Sequence, residues 1–208
     1  MKYHTIASIS SVITLSPATS GLIVIPAYQH VTIQEEDTIT NLVVEIIIEA
    51  HASVTYVLQK NNQETSSRHI TFVLKGAYAQ VLCSGSLCAR NAEKYDLTIL
   101  QLHCASHTKS SVALKMVVDD AALCLYRGTI VIEPSATKSV AEQQHKALVL
   151  SEHGKVTSEP QLEVLTNDVI CNHGSAISYV NPEQMHYLMS RGLSESVAKN
   201  CIVNGFLD

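Results

Sequence analysis

Short runs of β-branched and aliphatic residues, cut by small turns, recur from residue 22 to residue 165 and limit this chain to an almost all-β body. The runs cover 22–25, 31–34, 41–49, 53–59, 68–74, 77–83, 96–104, 112–118, 121–126, 128–133, 146–150 and 161–165. Val, Ile, Leu and Thr suit a pleated surface, and the Gly, Asn, Ser and Asp between the runs suit turns. Over 53–58 and 96–102 apolar residues fall mostly on alternate positions, so one face is buried and the other wetted. A sandwich, a barrel and a β-solenoid all satisfy that pattern. Trp is absent and aromatic residues make up only 5% of the chain. The interior must then be filled by aliphatic ladders, which favours a solenoid whose coils stack like on like. No repeat of fixed length announces one.

The 208 residues suffice for one substantial domain, and 46% hydrophobic against 16% charged residues leaves ample material for its core. A net charge of -5 and the lack of any basic run exclude nucleic acid as the main partner. The six cysteines (Cys83, Cys88, Cys104, Cys124, Cys171, Cys201) read as reduced thiols rather than a disulfide framework. Residues 6–25 are apolar on average but interrupted by Ser and Thr, which favours neither a secretory leader nor a membrane span. The expected location is therefore cytoplasmic, with no membrane partner.

After Val180 the period changes from two to about 3.6. Asn181 can cap a helix, Pro182 suits its first position, and Gln184 stands where a capping-box partner reaches back. Met185, Leu188 and Met189 form one apolar stripe, and Gly192 is placed to end the helix. Ser194 opens a second helix, with Glu195 in its first turn, Val197, Ala198, Cys201 and Ile202 as the expected inner face, and Gly205 as the expected stop. The chain thus divides into a β body over 1–180 and a two-helix module over 181–208. Read as a DNA-binding pair, these helices fail: the second offers only Lys199 as a basic residue and the first only Arg191.

Cys171 and His173 are two residues apart, so on a strand they point to the same side. Thiolate and imidazole are ligands that iron accepts, although a cysteine there also suits plain core packing. His145, beside Gln143, Gln144 and Lys146, reads as a surface histidine in a polar turn. Cys83, Cys88, His103, Cys104 and His107 lack the paired spacing of a zinc site. There is no Gly-rich phosphate loop, no Gly-x-Ser-x-Gly elbow and no spaced carboxylate pair, so the chain is not expected to be an enzyme.

Several ordered blocks carry a resemblance. They are Tyr126-Arg127-Gly128-Thr129-Ile130-Val131-Ile132 with Ala136-Thr137 and Gln144; Pro160-Gln161-Leu162-Glu163-Val164; Asn167-Asp168-Val169-Ile170-Cys171-Asn172-His173-Gly174; Glu183 to Leu193; and Val203-Asn204-Gly205-Phe206. Together they resemble the SufB/SufD family of iron–sulfur cluster assembly scaffolds. The resemblance implies a right-handed parallel β-helix followed by a small helical module. It further implies a transient iron–sulfur cluster built at the interface of a SufB-like and a SufD-like subunit, with a SufC-like ATPase driving conformational change. No cluster is expected to stay on this chain alone.

SufB-like chains carry a Cys at the position of His145 and a Glu directly after the position of His173; this chain has His145 and Gly174. It therefore resembles the SufD-like half. The resemblance makes His173 the residue that touches the cluster's iron, with Cys171 and His145 beside it, and assigns Met185, Tyr187, Leu188, Arg191 and Gly192 to the ATPase contact. It also makes the sequence a member shortened at both ends. The rival expectation is a structural or interaction β-solenoid that has lost cluster chemistry and forms a homodimer through unpaired strand edges.

Overall fold

The computed structural model describes residues 3–4, 12–16, 21–36, 39–58 and 65–208. Of the leader-like stretch over 6–25, residues 6–11 and 17–20 lie outside them. The strands are β1 (Tyr3–His4), β2 (Val12–Leu15), β3 (Gly21–Ile25), β4 (His30–Glu35), β5 (Asn41–Ile48), β6 (Ser53–Leu58) and β7 (Thr65–Leu74). They continue with β8 (Gln80–Ala89), β9 (Lys94–His103), β10 (Lys109–Val118), β11 (Leu123–Ile132), β12 (Ser139–Val149), β13 (Lys155–Val164) and β14 (Val169–Tyr179). Helices α1 (Pro182–Ser190) and α2 (Glu195–Leu207) follow.

Odd-numbered strands build one sheet and even-numbered strands the other, each in the order of the chain. Every pairing is parallel. A chain that alternates between two sheets and always stacks on its own previous coil is a parallel β-solenoid, as expected. Its coils lengthen along the chain. Val12 lies against Thr32, 20 residues on; His30 lies against Ser53, 23 on; Gln80 lies against Lys109, 29 on; Leu123 lies against Lys155, 32 on. A repeat whose length drifts leaves no fixed period in the sequence.

Alternate residues of each strand point inward, giving stacked rows such as Leu42, Val44, Ile46 and Ile48 over Ile70, Phe72 and Leu74, all buried. The interior is not wholly aliphatic: Tyr56, Tyr126, Gln101, His103, Gln143 and His145 are also buried. The runs 121–126 and 128–133 form one strand, β11, and Gly128 does not break it. A side chain at 128 would stand 2.5 Å from Gln143 Cδ and closer to Tyr126 Oη, so glycine is there for space.

One corner of the coils holds Tyr28, His51, Tyr78 and His107 at φ of 63°, 57°, 63° and 61°. Left-handed backbone is unfavourable for such residues. It is offset because each backbone N–H donates to the next coil: Tyr28 to Ala50, His51 to Ala77, Tyr78 to Ser106 and His107 to Thr137, at 2.9–3.2 Å. The four rings also stack, with centroids 5.0, 4.8 and 4.7 Å apart.

An ion pair lies inside the early coils. Arg68 Nε donates to Glu35 Oε2 at 2.6 Å, Tyr56 donates to Glu35 Oε1 at 2.7 Å, and Arg68 also donates to Ser66. Desolvation nonetheless holds the Glu35 carboxyl above its ordinary value, the opposing pull of Arg68 being the smaller effect. Glu35→Gln is expected to destabilise the fold by about 3–5 kcal/mol, because it removes the carboxylate charge that accepts from the buried Arg68 guanidinium and the Tyr56 hydroxyl. Urea unfolding checks this, and a loss below about 1 kcal/mol would overturn it.

The helix caps form as expected: Asn181 Oδ1 accepts from Glu183 N at 2.8 Å and Ser194 Oγ from Val197 N at 3.4 Å, and Gly192 has φ +92°. Two expectations fail. Helix α2 runs through Gly205 to Leu207. Its inner face is Ala198, Ile202, Val203 and Phe206, whereas Val197 and Cys201 are exposed. The reason is the surface it meets: α2 packs on Val117 and Leu148 of the even-strand sheet, and Lys115 Nζ donates to Leu207 O at 3.0 Å.

Candidate functional site

Strands β13 and β14 are the last of their sheets. Among the described residues nothing pairs with their outer edges, so their inward side chains face an open end. Leu162, Val164, Ile177 and Tyr179 on that side are 37–70% exposed. Cys171 lies over Ala141, His173 over Gln143 and Ser175 over His145, and those three lower residues are buried. Cys171 and His173 therefore share the inward side, as their spacing required.

Their surroundings differ. Cys171 is half-buried against Ile130, Ile132, Ala136 and Ala141, and burial pushes its thiol up. A thiol held protonated is a poor ligand and a good packing residue. His173 is exposed. Beside it runs a groove of about 360 Å³ lined by Glu142, Gln144, Lys146, Asn172 and Gly174. A side chain at Gly174 would meet nothing within 4 Å, so glycine is not required there for space.

His145 corrects the surface reading. It is 1% exposed, on β12, in the inward row with Gln143 and Ala147. Its polar neighbours resemble a turn in the sequence, but they alternate: Gln144 and Lys146 point out while Gln143 and His145 point in. His145 Nδ1 is 2.9 Å from Ser158 Oγ, its ring lies 4.6 Å from that of Tyr126, and desolvation lowers its pKa to about 4. His145 and His173 line the same groove from adjacent strands. Their offset of two residues on adjacent strands puts the two backbones roughly 8 Å apart. Ser158, Ser175 and Tyr126 surround His145 and escape a reading of the sequence, because only cross-strand register joins them.

In the helical module, α1 has no buried residue. Tyr187 is 57% exposed and carries the Arg191 guanidinium 5.1 Å from its ring centroid, while Met185 and Leu188 are half-buried. Tyr187 and Leu188 line a groove of about 670 Å³ with Leu148, Tyr179, Ile202 and Phe206. Among the described residues no three His, Cys, Asp or Glu side chains stand together as a metal site, and no helix is long and apolar enough to cross a membrane.

Residues 27–206 match the family described as "SUF system FeS cluster assembly, SufBD core domain". The chain belongs to the SufBD core family. An iron–sulfur cluster assembly SufBD family protein of Synechocystis is 27% identical over 203 residues, covering 83% of this chain and 44% of that protein. The iron–sulfur cluster assembly protein SufD of Bacillus subtilis is 25% identical over 207 residues, covering 85% of this chain and 47% of its own length. SufB of the same organism is 25% identical over 182 residues, covering 86% and 39%. This SufBD core chain thus spans less than half the length of these relatives, and it is as similar to a SufB as to a SufD.

Proposed function

We propose that this chain is a SufD-like scaffold of iron–sulfur cluster assembly, which pairs with a SufB-like subunit and works with a SufC-like ATPase. The observation that carries the reading is His173, held on the inward side of the last strand at an open and partly apolar solenoid end. An edge with unpaired backbone groups favours a second β-structure docking there, and His173 then lies at the seam with its imidazole free to take iron. Such an iron–sulfur cluster is cargo. Since Cys171 is packed and His145 is buried, the remaining thiolate ligands come from the partner. The exposed Tyr187 and Arg191, with Met185, Leu188 and Gly192, supply the surface for the ATPase.

Co-expression with SufB-like and SufC-like proteins tests this, followed by size-exclusion chromatography and anaerobic reconstitution with iron and sulfide. The expected result is a complex whose visible cluster absorbance falls at least about tenfold in His173→Ala, the loss typical of removing part of a metal shell. No complex, with the chain alone a stable monomer, would overturn it. The open end equally fits a second copy of the chain, as in an interaction solenoid without cluster chemistry. That reading takes over if the chain is a dimer, gains no absorbance with its partner, and His173→Ala complements like wild type.

A further inference from the structure

Proline brings no N–H to a β-ladder, so its position on a strand decides which neighbour goes without a donor. Pro160 lies in β13, in register with Gly128 of β11. The backbone groups of successive residues in a strand face opposite neighbours. Lys155 N donates to Ala122 O and Leu165 N to Ile132 O, so the odd-numbered residues of β13 bond to the coil below. The even-numbered ones, Val156, Ser158, Pro160, Leu162 and Val164, turn theirs to the free edge. Pro160, at the centre of that edge, has no N–H to offer it. Strand β14 is not interrupted in this way. Val180 N donates to Val149 O, which assigns its even-numbered residues to β12 and leaves Cys171, His173 and Ser175 among those that face outward with an N–H.

Pro160 and His173 face each other across the open end. Ser175 Oγ donates to Ser158 Oγ at 2.8 Å, which sets residue 158 opposite residue 175. The two strands run in opposite directions, so the residue two places after Ser158 meets the residue two places before Ser175. The coil below repeats this geometry: Gly128 lies under Pro160, Gln143 lies under His173, and Gln143 Nε2 donates to Gly128 O at 3.2 Å. The missing donor is therefore level with the exposed imidazole.

We propose that Pro160 leaves a gap in the strand pairing of the seam, and that iron and sulfide reach His173 through it. This holds on the reading above, in which His173 takes iron at a docked edge. A partner strand laid along β13 takes hydrogen bonds from Ser158 and Leu162, but its acceptor opposite Pro160 finds no donor, and an unpaired backbone group is held there only weakly. Along β14 the ladder has a donor at every outward residue and closes without a break. The seam is thus weakest on the side that faces the iron ligand, and cargo can enter there while the rest of the interface stays paired.

The test uses the complex with SufB-like and SufC-like proteins, reconstituted anaerobically with ferrous iron and sulfide while both the rate and the final extent of cluster absorbance are recorded. Pro160→Ala returns an N–H to the edge without adding bulk. It is expected to form the complex and reach the wild-type extent, but about fivefold more slowly, the factor that one net backbone hydrogen bond is worth. His173→Ala loses extent instead, so the two roles are told apart. Equal rates for wild type and Pro160→Ala in an intact complex overturn the gap and leave His173 in place, the proline then serving only to guard an edge strand. If no complex forms, the scaffold reading and the gap fall together. Hydrogen exchange on the wild-type complex tests the same point without a variant. The N–H groups of Ser158 and Leu162, which flank the gap, are expected to exchange at least about fivefold faster than those of Cys171 and Ser175. Equal protection on both edges overturns the proposal.

Discussion

Gly76→Ala is expected to destabilise the protein by more than about 4 kcal/mol, the range reserved for disrupted packing that cannot relax. Gly76 follows β7 at the corner occupied by the stacked rings. A Cβ there would stand 2.5 Å from the carbonyl carbon of Glu49 and overlap the nitrogen and Cα of Ala50. These are backbone atoms of the coil below, so no rotamer change relieves them. Moving Ala50 would disturb the bond its carbonyl accepts from Tyr28 N and the bond that His51 N donates to Ala77 O. Gly205→Ala is the control. Its Cβ meets nothing within 4 Å, it lies within α2, and alanine there should add about 0.5–1 kcal/mol. Soluble yield and urea midpoints for the two variants decide the matter. A Gly76→Ala midpoint equal to wild type would show that the coils can separate at this corner.

Acidification is expected to remove on the order of 6 kcal/mol of stability, through two buried histidines. His103 and His145 are 0–1% exposed, and desolvation lowers each pKa from 6.5 to about 4. The native state therefore prefers both rings neutral, while the unfolded chain takes up their protons around pH 6.5. The contribution is fully present above the unfolded value and is lost as pH falls from 6.5 towards 4. A shift of this size corresponds to about 3 kcal/mol per ring, and the two together rival the whole stability of an ordinary domain. Glu35 acts the other way, since its raised carboxyl pKa favours the native state as pH falls. The rings differ in partners. His103 has both nitrogens engaged, Nδ1 with Thr108 Oγ1 at 2.7 Å and Nε2 with Ser110 Oγ at 2.8 Å. Urea midpoints measured between about pH 7.5 and pH 4.5 check this. A slope approaching two protons is expected in the wild type and about one less in His145→Gln. A flat profile would sink the argument.

Features with local causes are open to reading in the chain. Most strands follow from β-branched runs and alternation, but β2, β14 and the first half of β12 lie outside those runs. The helix starts at Asn181 and Ser194 follow from capping chemistry, and the shared side of Cys171 and His173 from a spacing of two. The exposure of His173 is not readable there, because it depends on β14 being the last strand of its sheet.

Residue types and their periods settled that this is a β-rich chain closed by two capped helices, with His173 and Cys171 on one strand face. Only the stacking of coils decided the rest. It hid the repeat by letting the turn length drift between 19 and 32 residues. It turned His145 from an apparent surface residue into a buried one, and placed it against Tyr126 and Ser158. It also required glycine at 76 and 128 for space alone. Each of these depends on which residue of the neighbouring coil lies directly above or below. That register is a non-local quantity, set by the summed packing of whole coils rather than by the residues beside it in the chain.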